Sequence, residues 1–188
     1  MEHKQRISTK RIVLAALMAA LTVVGSGLRI KLPASVLGTN AFHLGNIFCA
    51  LSGILLGPGL GGLAAGLGSA IYDMFDPMYI SECWLTFLMK GAYGLVTGLI
   101  VWCGKSRENY LKMTLATVAG AITYAALYLL KNYLKGIWVK GLVPTASAIA
   151  LLEKVPPTVF NAVVAVIFAP ILATAIRKAL EKNHLTLN

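Results

Sequence analysis

Charged residues are scarce in this sequence. Only 13% of the 188 residues are Asp, Glu, Lys or Arg, whereas 57% are hydrophobic. An ordinary soluble domain carries about 25% charged residues. A soluble core of this size could not bury so much apolar surface, and the mean hydropathy of +0.75 points the same way. The composition therefore excludes a soluble protein and predicts an integral protein of the lipid bilayer.

Side chains that carry enzyme chemistry are also few. The cysteines, Cys49, Cys83 and Cys103, are odd in number and far apart, so they form neither a disulfide framework nor a metal-binding spacing. The three histidines are widely separated, and no Ser–His–acid set stands out. We therefore expect no catalytic site, no metal and no cofactor in this chain.

Acidic residues number only seven, and nearly all fall in predicted loops or at helix ends. Carriers driven by a proton gradient place carboxylates inside their spans, so this distribution argues against an ion-coupled carrier. The net charge of +10 could suggest nucleic-acid binding. The basic residues, however, stand at the ends of apolar runs, where they set membrane topology, so we expect no nucleic-acid partner.

The long apolar runs are the main feature that is present. One membrane helix needs about 20 apolar residues, and the chain has room for six with short loops. We predict an all-α bundle of six transmembrane helices forming a single domain over residues 1–188. A short helix is also expected in the connection before the last span. The predicted spans are 12–30, 41–56, 60–75, 84–103, 113–134 and 156–180.

The basic residues predict the orientation of these spans. Six spans place both termini and the loop after helix four on one side, which the positive-inside rule makes cytoplasmic. The opposite side holds an acidic group, Asp73, Asp76 and Glu82, and basic residues that break the rule. Those residues could bind a ligand or lipid headgroups. They are Arg29, Lys31, Lys131, Lys135, Lys140 and Lys154.

Small side chains form two strips in helix one, with Ala15 and Ala19 four residues apart and Ala16 and Ala20 likewise. Such strips allow close approach of another helix in lipid, where packing drives association. The partner could be another protein or another helix of the same bundle. The glycine-rich run that contains Gly62 and Gly66 is expected to let helices two and three cross tightly.

Polar side chains inside the apolar runs are the candidate ligand contacts. Lys90 lies about six residues into helix four, where an ammonium costs at least about 3 kcal/mol. It could face a ligand cavity or form a salt bridge with Asp73 or Glu82. Asn161, in helix six, needs hydrogen-bond partners, which a neighbouring helix or a ligand could supply. A stripe of Tyr124, Tyr128 and Asn132 on helix five could line a pocket or pack against a neighbouring helix.

Three stretches together resemble a known family. They are "ALMAA" in helix one, "LSGILLGPGLGGLAAGLGSAIYDMF" followed by "LTFLMKGAYGLVTGLIVW", and "PPTVFNAVVAVIFAPILATAIRKAL" at the end. In this order the chain resembles the substrate-binding S components of energy-coupling factor (ECF) vitamin transporters. The resemblance implies a binder of a water-soluble vitamin in the bacterial cytoplasmic membrane. The alternative is a membrane scaffold or assembly protein that uses the Ala and Gly strips and binds no ligand.

The resemblance also implies partners and a mechanism. The protein would join a membrane T subunit and two cytoplasmic ATPases, which would use the ATP. The T subunit would dock on Ala15, Ala16, Ala19 and Ala20. The loop after helix one would act as a lid over substrate captured outside, and toppling of the docked S component would release the substrate inward.

The substrate site implied by the resemblance lies near the outer face, among helices four to six and the outer loops. Trp84 and Tyr128 would stack on the ligand, and Asn132 and Asn161 would make polar contacts. The surplus of outer lysines favours an anionic vitamin such as pantothenate or folate, whereas a compact pocket would suit pyridoxine. The predicted substrate-binding residues are Asn40, Glu82, Trp84, Lys90, Tyr128, Lys131, Asn132 and Asn161.

Overall fold

A computed structural model describes residues 8–33, 36–104 and 106–183 of the protein. Helices dominate this part of the chain, as predicted, and they are accompanied by two three-residue strands. The strands are β1 (Arg29–Lys31) and β2 (Ala41–His43), which pair in antiparallel fashion. The helices are α1 (Thr9–Gly27), α2 (Gly45–Leu56), α3 (Pro58–Met74), α4 (Cys83–Trp102), α5 (Tyr110–Trp138), α6 (Pro144–Ala150) and α7 (Val155–Lys182).

The six predicted spans correspond to α1–α5 and α7, and α6 is the short helix expected before the last span. Within the described residues, four helical segments are long and apolar enough to cross a membrane on their own: 9–27, 80–102, 110–138 and 155–182. At 12 and 17 residues, α2 and α3 are shorter. The bundle of six main helices is therefore observed, whereas a count of six complete membrane crossings remains a prediction.

Two predicted helix boundaries are wrong. Helix one was expected to reach residue 30 and helix two to begin at residue 41, but these segments form the β1–β2 pair. Arg29 lies opposite His43, and Lys31 lies opposite Ala41. The Arg29 side chain donates to the Ser26 carbonyl oxygen at the end of α1, at 2.7 Å. The strands satisfy backbone groups that a longer helix would otherwise have satisfied.

The main helices alternate in direction, so the bundle has two distinct ends. At one end, the Arg11 guanidinium at the start of α1 donates to the Leu56 carbonyl oxygen at the end of α2, at 2.7 Å. The Ile54 carbonyl oxygen there accepts from Trp102 Nε1 at 3.1 Å and from the Arg177 guanidinium at 3.0 Å. We call this the basic end. The opposite end, which holds both strands and α6, is called the cavity end.

The core of the bundle is built around α2. Every residue of this helix except Phe48 is buried. Helices α1, α3, α4 and α7 all pack against it. Because neighbouring helices and not lipid surround α2, this helix does not need the length of a lipid-exposed membrane span.

Glycines bring the central helices into backbone contact. A Cβ on Gly53 of α2 would lie 2.3 Å from the Gly94 carbonyl oxygen of α4, and one on Gly61 would lie 2.5 Å from the Ser52 carbonyl oxygen. Gly62 and Gly66, which were expected to face helix two, instead face α4. The tight α2–α3 crossing therefore depends on Gly61, one position along the same run.

The alanine strips of α1 face different surroundings. Ala15 and Ala19 are half-buried and pack against the core. Ala16 and Ala20 are exposed, on the same face as Val13, Leu17 and Val24, which are also exposed. Only one of the two predicted docking strips is therefore open to a partner.

Candidate functional site

A cavity of about 160 Å³ lies at the cavity end of the bundle. Its wall is formed by the end of α1, both strands and their connecting loop, the end of α3, the start of α4, the end of α5 and the start of α7. The lining includes five cationic side chains and two carboxylates, Asp73 and Glu82. The cationic residues are Arg29, Lys90, Lys131, Lys135 and Lys154.

Glu82 links α4 to α5. Lys131 Nζ lies 2.5 Å from Glu82 Oε2, and Lys135 Nζ donates to Glu82 Oε1. Both carboxylate oxygens are thus engaged by lysines from successive turns of α5. One negative charge is shared between two positive charges at this point of the wall.

Arg29 and Lys31 pair with the other outer carboxylates. The Arg29 guanidinium lies 4.0 Å from Asp73 Oδ1 and 3.9 Å from Asp76 Oδ2, and Lys31 Nζ lies 2.9 Å from Asp76 Oδ2. Burial alone would raise the pKa of Asp76, but the hydrogen bond from Lys31 and other favourable contacts leave that pKa below its ordinary value. Asp73 and Asp76, two of the three acidic residues before α4, therefore hold β1 in place.

Lys90 lines the cavity with only 4% of its surface exposed. Its ammonium donates to Asn46 Oδ1 and lies 4.2 Å from the ring centroid of Tyr124. Among the described residues, no ion pair includes Lys90. The predicted salt bridge with Asp73 or Glu82 is therefore not formed, and an amide and an aromatic face surround the ammonium instead.

Three tyrosines form a ladder beside Lys90. The ring centroids of Tyr93 and Tyr124 are 6.1 Å apart at an interplanar angle of 18°, and those of Tyr124 and Tyr128 are 5.8 Å apart at 24°. Tyr124, Tyr128 and Asn132, the polar-aromatic stripe identified in the sequence, all line the cavity. Asn132 uses its Nδ2 to donate to the Tyr128 carbonyl oxygen at 2.8 Å.

Asn161 connects α7 to β2. Its Oδ1 accepts the His43 backbone N–H at 2.9 Å, and its Nδ2 donates to the Ala41 carbonyl oxygen at 3.1 Å. The Gly45 N–H donates to His43 Nδ1 at 3.2 Å. Burial, followed by the charges of Lys90 and Arg29, holds the pKa of His43 well below its usual value. The imidazole is therefore neutral, with its proton on Nε2, because Nδ1 acts as an acceptor.

The β1–β2 loop is fastened to the start of α7. Lys154 Nζ donates to the Gly38 carbonyl oxygen at 2.8 Å and to that of Thr39 at 3.5 Å. Asn40 Nδ2 donates to the Glu153 carbonyl oxygen at 2.8 Å. Gly38 and Thr39 also line the cavity, so these contacts hold part of its wall in place.

Six of the eight residues predicted to bind substrate line this cavity. Asn40 is buried but belongs to the loop attachment, and Trp84 is 60% exposed on the outside of the bundle. At about 100° per residue, Trp84 and Lys90 point about 120° apart around α4, so both cannot face one cavity. The six that line it are Glu82, Lys90, Tyr128, Lys131, Asn132 and Asn161.

Sequence reasoning missed His43 as a cavity residue. No spacing distinguishes it from the other two histidines, because it lies in β2 and its neighbours in the cavity come from distant parts of the chain. The sequence identified Arg29, Lys135 and Lys154 as basic residues on the outer side that could bind a ligand or lipid headgroups, without placing them in one cavity. Within the described ranges, no group of three or more His, Cys, Asp or Glu side chains could hold a metal ion.

Comparison with known proteins finds a family model and a relative that match this chain. A family model described as "ECF-type riboflavin transporter, S component" matches residues 6–178. A protein of Pyrococcus woesei, described as "Uncharacterized protein in gap 3'region", is 35% identical over 114 residues. That alignment covers 61% of this chain and 72% of the other protein.

Proposed function

The chain belongs to the family of ECF-type riboflavin transporter S components, and we propose that it binds riboflavin or a closely related vitamin at the cavity end. Members of this family are substrate-binding subunits of transporters. The family and the apolar helices together make this chain a multi-pass membrane protein.

The observation that carries the proposal is the cavity lined by stacked tyrosines. A flat aromatic ring system gains from offset stacking on such side chains, and Tyr124 and Tyr128 both face the cavity. Buried polar groups close by, including Lys90 and Asn132, supply hydrogen bonds for ring heteroatoms or hydroxyls. The family description favours riboflavin over pantothenate, folate or pyridoxine, the vitamins that the sequence had suggested.

The charge distribution supports capture from outside. Arg11, Arg107, Lys112 and Arg177 gather at the basic end, where Arg11 and Arg107 both lie against the Trp102 ring. The positive-inside rule makes that end cytoplasmic, and with it both termini. The cavity then opens toward the outer side of the cell membrane, where a vitamin arrives.

The energy for transport would come from other subunits. We infer a membrane T subunit that docks on α1 and two cytoplasmic ATPases that hydrolyse ATP, with toppling of this chain as the delivery step. The exposed face of α1 that carries Ala16 and Ala20 supports docking of the T subunit there. A scaffold without a ligand is less well supported, because a scaffold needs no cavity lined by buried polar and aromatic groups.

Riboflavin titration of the purified protein tests the proposal, with quenching of riboflavin fluorescence as the measurement. We expect a dissociation constant below about 1 μM. Tyr128→Ala should weaken binding by about tenfold or more, since stacking of an aromatic pair is worth about 0.5–1.5 kcal/mol beyond burial. Tyr110→Ala is the matched control, because Tyr110 is exposed at the basic end of the same helix. Folded protein that does not quench riboflavin would refute the proposal.

A further inference from the structure

The cavity carries more positive charge than its own carboxylates can neutralise. Three of the lining lysines, Lys131, Lys135 and Lys154, form what we call the lysine cluster: two come from the end of α5, and the third directly follows segment 151–153, which packs against α5. Glu82 is the only carboxylate that pairs with this cluster among the described residues, and both of its oxygens are already used by Lys131 and Lys135. Asp73, the other carboxylate in the wall, lies next to Arg29.

Lys154 is the least compensated member of the lysine cluster. Only 1% of its surface is exposed, and its ammonium contacts two backbone carbonyl oxygens but no carboxylate in the described residues. Burial, followed by the positive charges of Lys131 and Lys135, lowers the pKa of Lys154 to about 8. The positive charges of Lys131 and Lys135 thus act against the protonated form of Lys154.

Structural roles account for only part of this arrangement. Glu82 joins α4 to α5 through two lysines where one would be enough, and Lys154 fastens the β1–β2 loop without any carboxylate partner in the described residues. A buried charge without a counter-charge is costly, and an added anion removes that cost. Ammonium groups form strong, charge-assisted hydrogen bonds with phosphate and carboxylate oxygens.

We propose that the ligand of this cavity is anionic and that its phosphate or carboxylate group binds among Lys131, Lys135 and Lys154. This inference rests on the proposed function in taking the cavity as the substrate site. It goes beyond that function because riboflavin carries no negative charge at neutral pH. The aromatic part of the ligand would lie on Tyr124 and Tyr128, and its anionic part at the lysine cluster.

Two flavins that differ only by a phosphate provide the first test. Riboflavin and riboflavin 5′-phosphate are titrated against the wild-type protein and against Lys131→Gln. We expect the phosphate ester to bind the wild type about tenfold more tightly, which corresponds to about 1.4 kcal/mol, and Lys131→Gln to lose most of that preference. Lys140→Gln is the matched control, since Lys140 is exposed after α5 and does not line the cavity.

Thermal unfolding with inorganic phosphate gives a second test that does not depend on flavin binding. Phosphate stabilises many proteins by exclusion from their surface, so the wild type is compared with Lys131→Gln/Lys135→Gln at matched ionic strength. We expect a larger rise in midpoint for the wild type. Equal rises would overturn the anionic site, whether or not riboflavin binds. Riboflavin binding with no preference for the phosphate ester would also overturn it, and would leave the proposed function intact.

The anion could also be the headgroup of a lipid. The phosphate experiment is therefore repeated in nanodiscs of phosphatidylcholine alone and in nanodiscs that contain phosphatidylglycerol. A phosphate effect that persists in both supports a soluble ligand. An effect that disappears with phosphatidylglycerol would assign the lysine cluster to a lipid and overturn the substrate proposal.

Discussion

Single buried polar side chains at the cavity end mostly hold backbone in place. Asn161 bonds to both ends of β2, Asn40 bonds to Glu153, and Lys154 bonds to the β1–β2 loop. Residue type and position in the sequence predicted that Asn161 is buried and needs partners. They could not predict which partners, because His43 lies 118 positions away along the chain.

Replacing Asn161 tests whether its side chain holds the β2 backbone in place. Asn161→Ala leaves the His43 N–H and the Ala41 carbonyl oxygen unpaired in a buried place, which should cost about 1–3 kcal/mol of stability. Asn161→Asp keeps the acceptor for the His43 N–H but places a carboxylate oxygen against the Ala41 carbonyl oxygen, so it too should be destabilising. The measurement is the thermal unfolding midpoint.

Asn183→Ala is the control for Asn161→Ala. Asn183 follows the end of α7, and its exposed side chain donates to the Ala179 carbonyl oxygen. Its replacement should change the midpoint little. If the two alanine variants unfold at the same temperature, Asn161 does not support β2 as we describe.

Elements were more predictable than contacts, except at the cavity end. Apolar runs of helical length indicated all six main helices, and the basic residues indicated which helix ends lie together. The β1–β2 pair was missed because a three-residue strand has too few positions to show an alternating pattern. The partner of the glycine strip was also missed: adjacent positions of a helix point about 100° apart, so Gly61 faces α2 while Gly62 faces α4.

The backbone contact between α2 and α4 predicts that a larger side chain at Gly53 will destabilise the protein. Gly53→Ala would place a methyl group 2.3 Å from the Gly94 carbonyl oxygen, and neither backbone can retreat within the packed core. We expect a loss of about 1–3 kcal/mol or more, as in other overpacked cores. The thermal midpoint of the purified variant measures the loss.

Gly59→Ala provides the comparison in a neighbouring helix. A Cβ on Gly59 meets nothing within 4 Å, and Gly59 lies in the first turn of α3. Alanine is favoured over glycine in helices by up to about 1 kcal/mol, so this variant should be as stable as the wild type or slightly more stable. A Gly53→Ala protein as stable as Gly59→Ala would contradict the close helix contact.

At the scale of the whole molecule, the two ends of the bundle and the outer face of α1 have different structural features. The cavity end holds the candidate substrate site, the basic end collects arginines around Trp102, and α1 presents an apolar face between them. The sequence predicted alanine strips on α1 but could not tell which one the bundle would cover. The structure separates them: Ala15 and Ala19 face the core, and Ala16 and Ala20 face outward.

Bulky substitutions on the two strips should therefore have different effects in the assembled transporter. Ala16→Leu/Ala20→Leu should abolish vitamin uptake and recovery of the T subunit in pull-down experiments, and should leave riboflavin affinity and the thermal midpoint unchanged. Ala15→Leu/Ala19→Leu should lower the midpoint, because Ala19 packs where a Cβ on Gly68 would meet its carbonyl oxygen at 2.3 Å. Normal uptake by the first variant would exclude the outward strip as the docking face.

The shortness of α2 bears on how the protein is made. Twelve residues of helix span about 18 Å, well short of a hydrocarbon layer of about 30 Å. A nascent α2 is too short to span the lipid alone. It can therefore integrate stably only after α3 and α4, which are synthesised after it, are available to pack against it. Biogenesis of this chain is thus expected to proceed by insertion of a group of helices, and a defect in α4 should first be seen as failed integration of α2.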